Sequence, residues 1–127
     1  MVRPSARELT ERELEIMHVV WELGEATIGD VRDALASSGL DRAYTTVATL
    51  VRILNDKGFL EPIHEGRPAR YRAARSFEDV SRRLLGDVLE RVFKGSSEQL
   101  LVRLVEQSRL TAKERAKLRK ILGEDHA

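Results

Sequence analysis

Three of the six threonines in this sequence are followed, three residues later, by a carboxylate: Thr10 by Glu13, Thr27 by Asp30 and Thr111 by Glu114. At a helix start the hydroxyl accepts from the third residue's amide while the carboxylate accepts from the threonine's own amide, so each pair marks where a helix begins. Stops are equally plain at Gly24, Ser37-Ser38-Gly39, Gly58 and Lys94-Gly95-Ser96. Starts and stops at this spacing leave room for short helices and little else, which predicts a mainly α chain.

Apolar periodicity fills in the helices. After Thr10, Leu9 and Leu14 form a hydrophobic staple, and Leu14, Met17, Val20 and Trp21 recur at helical spacing with Ile16 beside them. After Thr27, Ile28, Val31 and Leu35 form a second stripe, and Glu25-Ala26-Thr27 before it reads as a minimal strand. Residues 43–57 are harder, because Tyr44-Thr45-Thr46-Val47-Ala48-Thr49 is rich in β-formers. Period decides: Tyr44, Val47, Leu50, Val51 and Leu54 share a helical face, whereas alternate residues share no character. Leu60-Glu61-Pro62-Ile63-His64 and Ala69-Arg70-Tyr71-Arg72-Ala73 are extended runs joined by a Gly66 turn, a hairpin whose Pro62 strand is an edge. From Ser76 onward the chain is helical, with Phe77, Val80, Leu84, Val88 and Val92 on one stripe. Leu100, Leu101, Leu104 and Val105 mark the next helix, and Leu118, Ile121 and Leu122 are expected to turn inward in the last.

Helix, helix, helix, hairpin within about 75 residues is the order of a winged helix-turn-helix. We expect a winged-helix unit at residues 7–75 and a helical dimerisation arm at residues 76–124. Such a unit lays its third helix in the major groove and sets the hairpin beside the flanking backbone. The outward face of the third helix carries Thr45, Thr49, Arg52 and Asp56, with Thr46 and Asn55 adjacent. Arg42, Tyr44, Thr45, Thr46, Thr49 and Arg52, with Arg67, Arg70 and Arg72 of the wing, are the candidate DNA contacts. Threonines donate to phosphates, accept from bases or set a methyl against a thymine methyl, and a long cation holds a phosphate or a guanine edge. The bland alternatives are a solvated helix face and a charged edge strand guarding against aggregation.

Charge is distributed in keeping with this reading. The net charge is only +1, but residues 1–41 hold four arginines against nine carboxylates, and residues 42–75 hold seven basic groups against three acidic ones. Zero cysteines exclude disulfides and Cys-ligated zinc. No apolar run nears the length of a membrane span and no signal peptide is visible, so a cytoplasmic location is expected. His18, His64 and His126 are scattered, His18 on an exposed helix face, and neither a phosphate loop nor a nucleophile elbow is present; no metal, cofactor or catalytic site is expected. In the arm, Phe77, Val80, Leu84, Val88, Val92, Leu100, Leu101, Leu104 and Val105 need a partner surface, either the first domain or a second copy.

Several of these segments resemble the BlaI/MecI/CopY family of penicillinase and methicillin-resistance repressors. Leu9 to Met17 with Val20-Trp21 resembles its opening; Tyr44 to Leu50 with Arg52-Ile53-Leu54 and Lys57-Gly58-Phe59-Leu60 its recognition helix and exit. Glu65-Gly66-Arg67 to Tyr71 resembles its wing, and Phe93-Lys94-Gly95-Ser96 with the Leu100–Val105 helix its dimerisation arm. The resemblance implies a homodimeric repressor of operator DNA, its own promoter included, with Thr45, Thr46 and Thr49 at base-contacting positions. In the antibiotic-responsive members a membrane metallopeptidase sensor triggers cleavage at an Asn-Phe bond; here the matching positions hold Arg103 and Leu104. The copper-responsive members carry a C-terminal cysteine cluster, which this chain lacks. A winged-helix protein–protein module and a regulator gated by a small molecule in its helical arm are the alternatives.

Overall fold

The computed structural model describes residues 9–63 and 66–125. Residues 7 and 8 at the expected domain start, His64, Glu65 and His126 lie outside the described residues. Helix α1 (Glu11–Leu23) opens on the expected capping box: Thr10 Oγ1 accepts from the Glu13 amide at 3.1 Å and Glu13 Oε1 from the Thr10 amide at 2.8 Å. Strand β1 (Glu25–Thr27) leads directly into α2 (Ile28–Ser37), where Thr27 and Asp30 repeat the reciprocal pair at 3.0 Å each. Helix α3 (Tyr44–Asp56) confirms periodicity over propensity: Val47, Val51 and Leu54 are fully buried. Tyr44 departs from that stripe. It is 47% exposed, and the Arg32 guanidinium lies 5.6 Å from its ring centroid.

Strands β2 (Leu60–Ile63) and β3 (Arg70–Ala73) form the hairpin. The sheet order is β1-β3-β2, antiparallel throughout. Pro62 therefore sits on an edge, as expected. β3 does not: β1 pairs along its other side, so the arginines of β3 cannot be guards of a free edge.

By its contacts the chain divides into two units, one ending at Leu84 and the other beginning at Leu85. In the first, Ile16, Met17 and Val20 of α1 meet Val31 and Leu35 of α2, the buried face of α3, Phe59 and Leu60. Helix α4 (Phe77–Arg91) starts in this unit, and its Val80 is 1% exposed in the same core with Leu84 packed against it. The compact unit thus runs past Arg75, the expected boundary, and Val80 is spent on this core rather than on a dimerisation stripe. Trp21 Nε1 donates to the Arg75 carbonyl at 2.9 Å, tying α1 to the exit of the hairpin.

The second unit holds the rest of α4, α5 (Ser97–Glu106) and α6 (Ala112–Asp125). Ser96 and Thr111 cap the last two helices, Thr111 reciprocally with Glu114. None of the described side chains from 85 to 123 is buried. Ile121 and Leu122, expected to turn inward, are 43% and 53% exposed, because this unit has no interior of its own to receive them.

Candidate nucleic-acid interface

The surface of interest is built on α3, and its local sequence explains its exposure. With Val47, Val51 and Leu54 facing the core, the 100° step of the helix turns Thr45, Thr46, Thr49, Arg52 and Asp56 outward, and all five are exposed. The N-cap is Ala43, with no side-chain acceptor to offer. The first-turn amides therefore keep their donors, at the positive end of the helix dipole, for an incoming anion.

Ion pairs to α1 clamp both ends of this helix. Before its start, Arg42 forks onto Glu15, with Nη2–Oε2 at 2.9 Å and Nε–Oε1 at 3.2 Å. At its end, Lys57 Nζ lies 3.0 Å from both carboxylate oxygens of Glu13. Burial of Glu13 pushes its carboxyl pKa up, but the Thr10 amide and the Lys57 ammonium outweigh that and hold it below its ordinary value. Sequence reasoning placed Arg42 among the candidate DNA contacts; the structure pairs its guanidinium with Glu15. It missed the clamping role of Glu13, Glu15 and Lys57 altogether. The available signal was the acidic first third of the chain facing a basic middle third.

The wing repeats this internal neutralisation. Arg70 and Arg72 share the exposed face of β3, as alternation requires, while Tyr71 turns toward the core. Arg72 stands in register between Glu25 and Glu61, with its Nε 2.6 Å from Glu61 Oε2, and Arg70 Nη1 lies 4.0 Å from Glu25 Oε1. Arg67 is exposed near the tip of the turn. Arg75 follows the hairpin with its guanidinium 4.8 Å from the Phe59 ring centroid, covering the core rather than facing outward.

Between the outward threonines of α3 lies a shallow depression of about 270 Å³, lined by Thr45, Thr46, Thr49 and Leu50. Within it, Thr49 Oγ1 donates back to the Thr45 carbonyl at 3.0 Å. Elsewhere in the first unit a smaller apolar hollow of about 220 Å³ lies beside Trp21, Phe77 and Leu84. No helix among the described residues is long and apolar enough to cross a membrane.

The family model described as penicillinase repressor matches residues 9–124. An uncharacterised 16.5 kDa protein in the ptsI 3′ region of Latilactobacillus sakei is 29% identical over 118 residues, which cover 93% of this chain and 80% of that protein. The methicillin resistance regulatory protein MecI of Staphylococcus aureus is 24% identical over 116 residues, covering 91% and 94%. Among solved structures, the complex structure of hsRosR-SG superposes with a TM-score of 0.56 at 17% identity, covering 97% of this chain and 96% of that one. The reduced form of MarR from E. coli gives 0.50 at 13%, covering 93% and 78%. At these identities the structural likenesses concern the winged-helix fold.

Proposed function

This chain belongs to the penicillinase repressor family of non-enzymatic, DNA-binding transcriptional repressors, and from that premise we propose that it binds operator DNA as a homodimer, its own promoter included. The observation that carries the reading is α3: an uncapped helix start and an exposed threonine face, held rigidly by a clamp at each end. In this reading α3 enters the major groove, Thr45, Thr46 and Thr49 meet base edges, and Tyr44 and Arg52 flank them. Arg67 at the wing tip reaches a phosphate. Arg70 and Arg72 add less, since Glu25 and Glu61 already offset their charge.

Dimerisation is supported by the second unit, where Leu85, Val88, Val92, Leu101, Val102 and Val105 are all exposed and none of the described side chains is buried. Helices this short do not hold together in water without covering their apolar faces, and a second copy of the same unit provides the cover. Relief of repression by a sensor-triggered protease would act at Arg103-Leu104. That peptide bond lies inside α5, with Arg103 Nη1 2.8 Å from Glu106 Oε1, so cleavage requires α5 to unwind first.

A mobility-shift titration on the chain's own upstream DNA tests the proposal. We expect a retarded complex whose log K falls linearly with log salt, weakened by Thr46→Ala without loss of the dimer. A winged-helix module for protein partners alone would give no such complex.

A further inference from the structure

We propose that the depression on the first two turns of α3 is a receptor for the 5-methyl group of thymine, so that these two turns read the operator through thymine methyls rather than through bidentate hydrogen bonds. The inference rests on the DNA-binding reading above and specifies what that surface recognises.

Two observations carry it. From Tyr44 to Val51 the helix has no Asn, Gln, Lys, Arg, Asp or Glu, so these turns hold no side chain able to grip a guanine or adenine edge with two hydrogen bonds. What the surface does hold is three threonine side chains and the half-buried Leu50, gathered around one hollow of about 270 Å³. The second observation concerns Thr49. Its single hydroxyl hydrogen is engaged by the Thr45 carbonyl at 3.0 Å, inside its own helix. Toward a base it therefore offers a methyl group and oxygen lone pairs, but no donor. In the major groove only thymine presents an apolar group on its edge, and that group is a methyl. A surface of methyls and an isobutyl group gains from covering it and gains nothing comparable from the other three bases.

The test uses the full chain and modified DNA. A duplex is first selected from a random pool, then resynthesised with deoxyuridine in place of thymidine at each position in turn, which removes the methyl and leaves the pairing edge intact. We expect about a fourfold loss of affinity for each methyl seated in the depression. Thr49→Val, which keeps the methyl and discards the hydroxyl, should keep the discrimination between the thymine and uracil duplexes. Thr49→Ser, which does the reverse, should bind the thymine duplex more weakly and lose its discrimination against the uracil one. Equal affinity for the thymine and uracil duplexes at every position overturns the methyl receptor while leaving the repressor intact. Thr49→Val binding more weakly than Thr49→Ser overturns it in favour of readout through the hydroxyl. If no duplex is enriched and no salt-sensitive complex forms, the DNA-binding reading itself falls, and this one with it.

Discussion

Glu13 is the residue on which most of this domain's local order converges. One carboxylate completes the cap of α1, anchors Lys57 at the end of α3 and is itself only 3% exposed. Removing its counter-charge with Lys57→Ala leaves a buried carboxylate held by Thr10 without its ammonium partner. We expect a loss of about 1–3 kcal/mol in denaturant unfolding, the scale for a buried polar group deprived of a partner. The pH dependence has a definite sign. Because the folded-state pKa of Glu13 lies below its ordinary value of 4.5, its contribution is complete above that value and is lost as pH falls through the lowered one. The acid-side decline in stability should therefore be shallower in Glu13→Gln, read from thermal midpoints between neutral and acid pH. Apart from the Thr10–Glu13 cap, none of these pairings was legible residue by residue. The acidic 1–41 and basic 42–75 segments were visible as counts, yet counts do not say that Glu15 meets Arg42 or that Glu25 and Glu61 flank Arg72. Much of the charge that suggested phosphate binding is offset inside the fold.

At the scale of elements, the sequence was far more readable. A cap needs only residues three apart, and each Thr–carboxylate pair appears in the structure with both hydrogen bonds made. Thr10→Ala removes the acceptor for the Glu13 amide, and about 1 kcal/mol of destabilisation is expected by urea titration. Its effect should not add to that of Lys57→Ala, since both act on Glu13. Helix α3 shows why period outranks propensity. Its β-branched residues cost little beside the burial of Val47, Val51 and Leu54, about 1.5–3 kcal/mol for each side chain. The wing was legible as a hairpin, but the central place of β3 was not. Its pairing with β1 joins residues such as Ala26 and Tyr71, and no local pattern specifies so distant a partner.

At the scale of the whole molecule, two expectations concern where one unit ends and how the other is covered. A fragment of residues 1–84 should fold cooperatively, while one of residues 1–75 should not reach the same stability. The shorter piece lacks Val80 and Leu84, and losing the buried Val80 alone costs about 1.5–3 kcal/mol. Matching melting curves for the two fragments would return the boundary to Arg75. For the second unit, light scattering of the full chain at micromolar concentration should give the mass of a dimer. The double variant Leu101→Asp, Val105→Asp should give a monomer, because both side chains are exposed on α5 and charge there blocks an apolar contact. Both operator affinity and the slope of its salt dependence should fall with it.

By itself, the amino-acid sequence determined where the helices begin and stop, which faces of α1, α2 and α3 are apolar, and that a hairpin follows α3. Those features depend on residues three or four apart, and side chains so close in the chain meet whatever the rest of the molecule does. The tertiary structure alone decided which charges are spent, with Arg42 on Glu15 and Lys57 on Glu13 at separations of 27 and 44 residues. It also decided that the first core extends to Val80, and that Trp21 closes on the Arg75 carbonyl 54 residues away. Contacts of that span are chosen by the shape of a packed interior, which exists only once the elements have met.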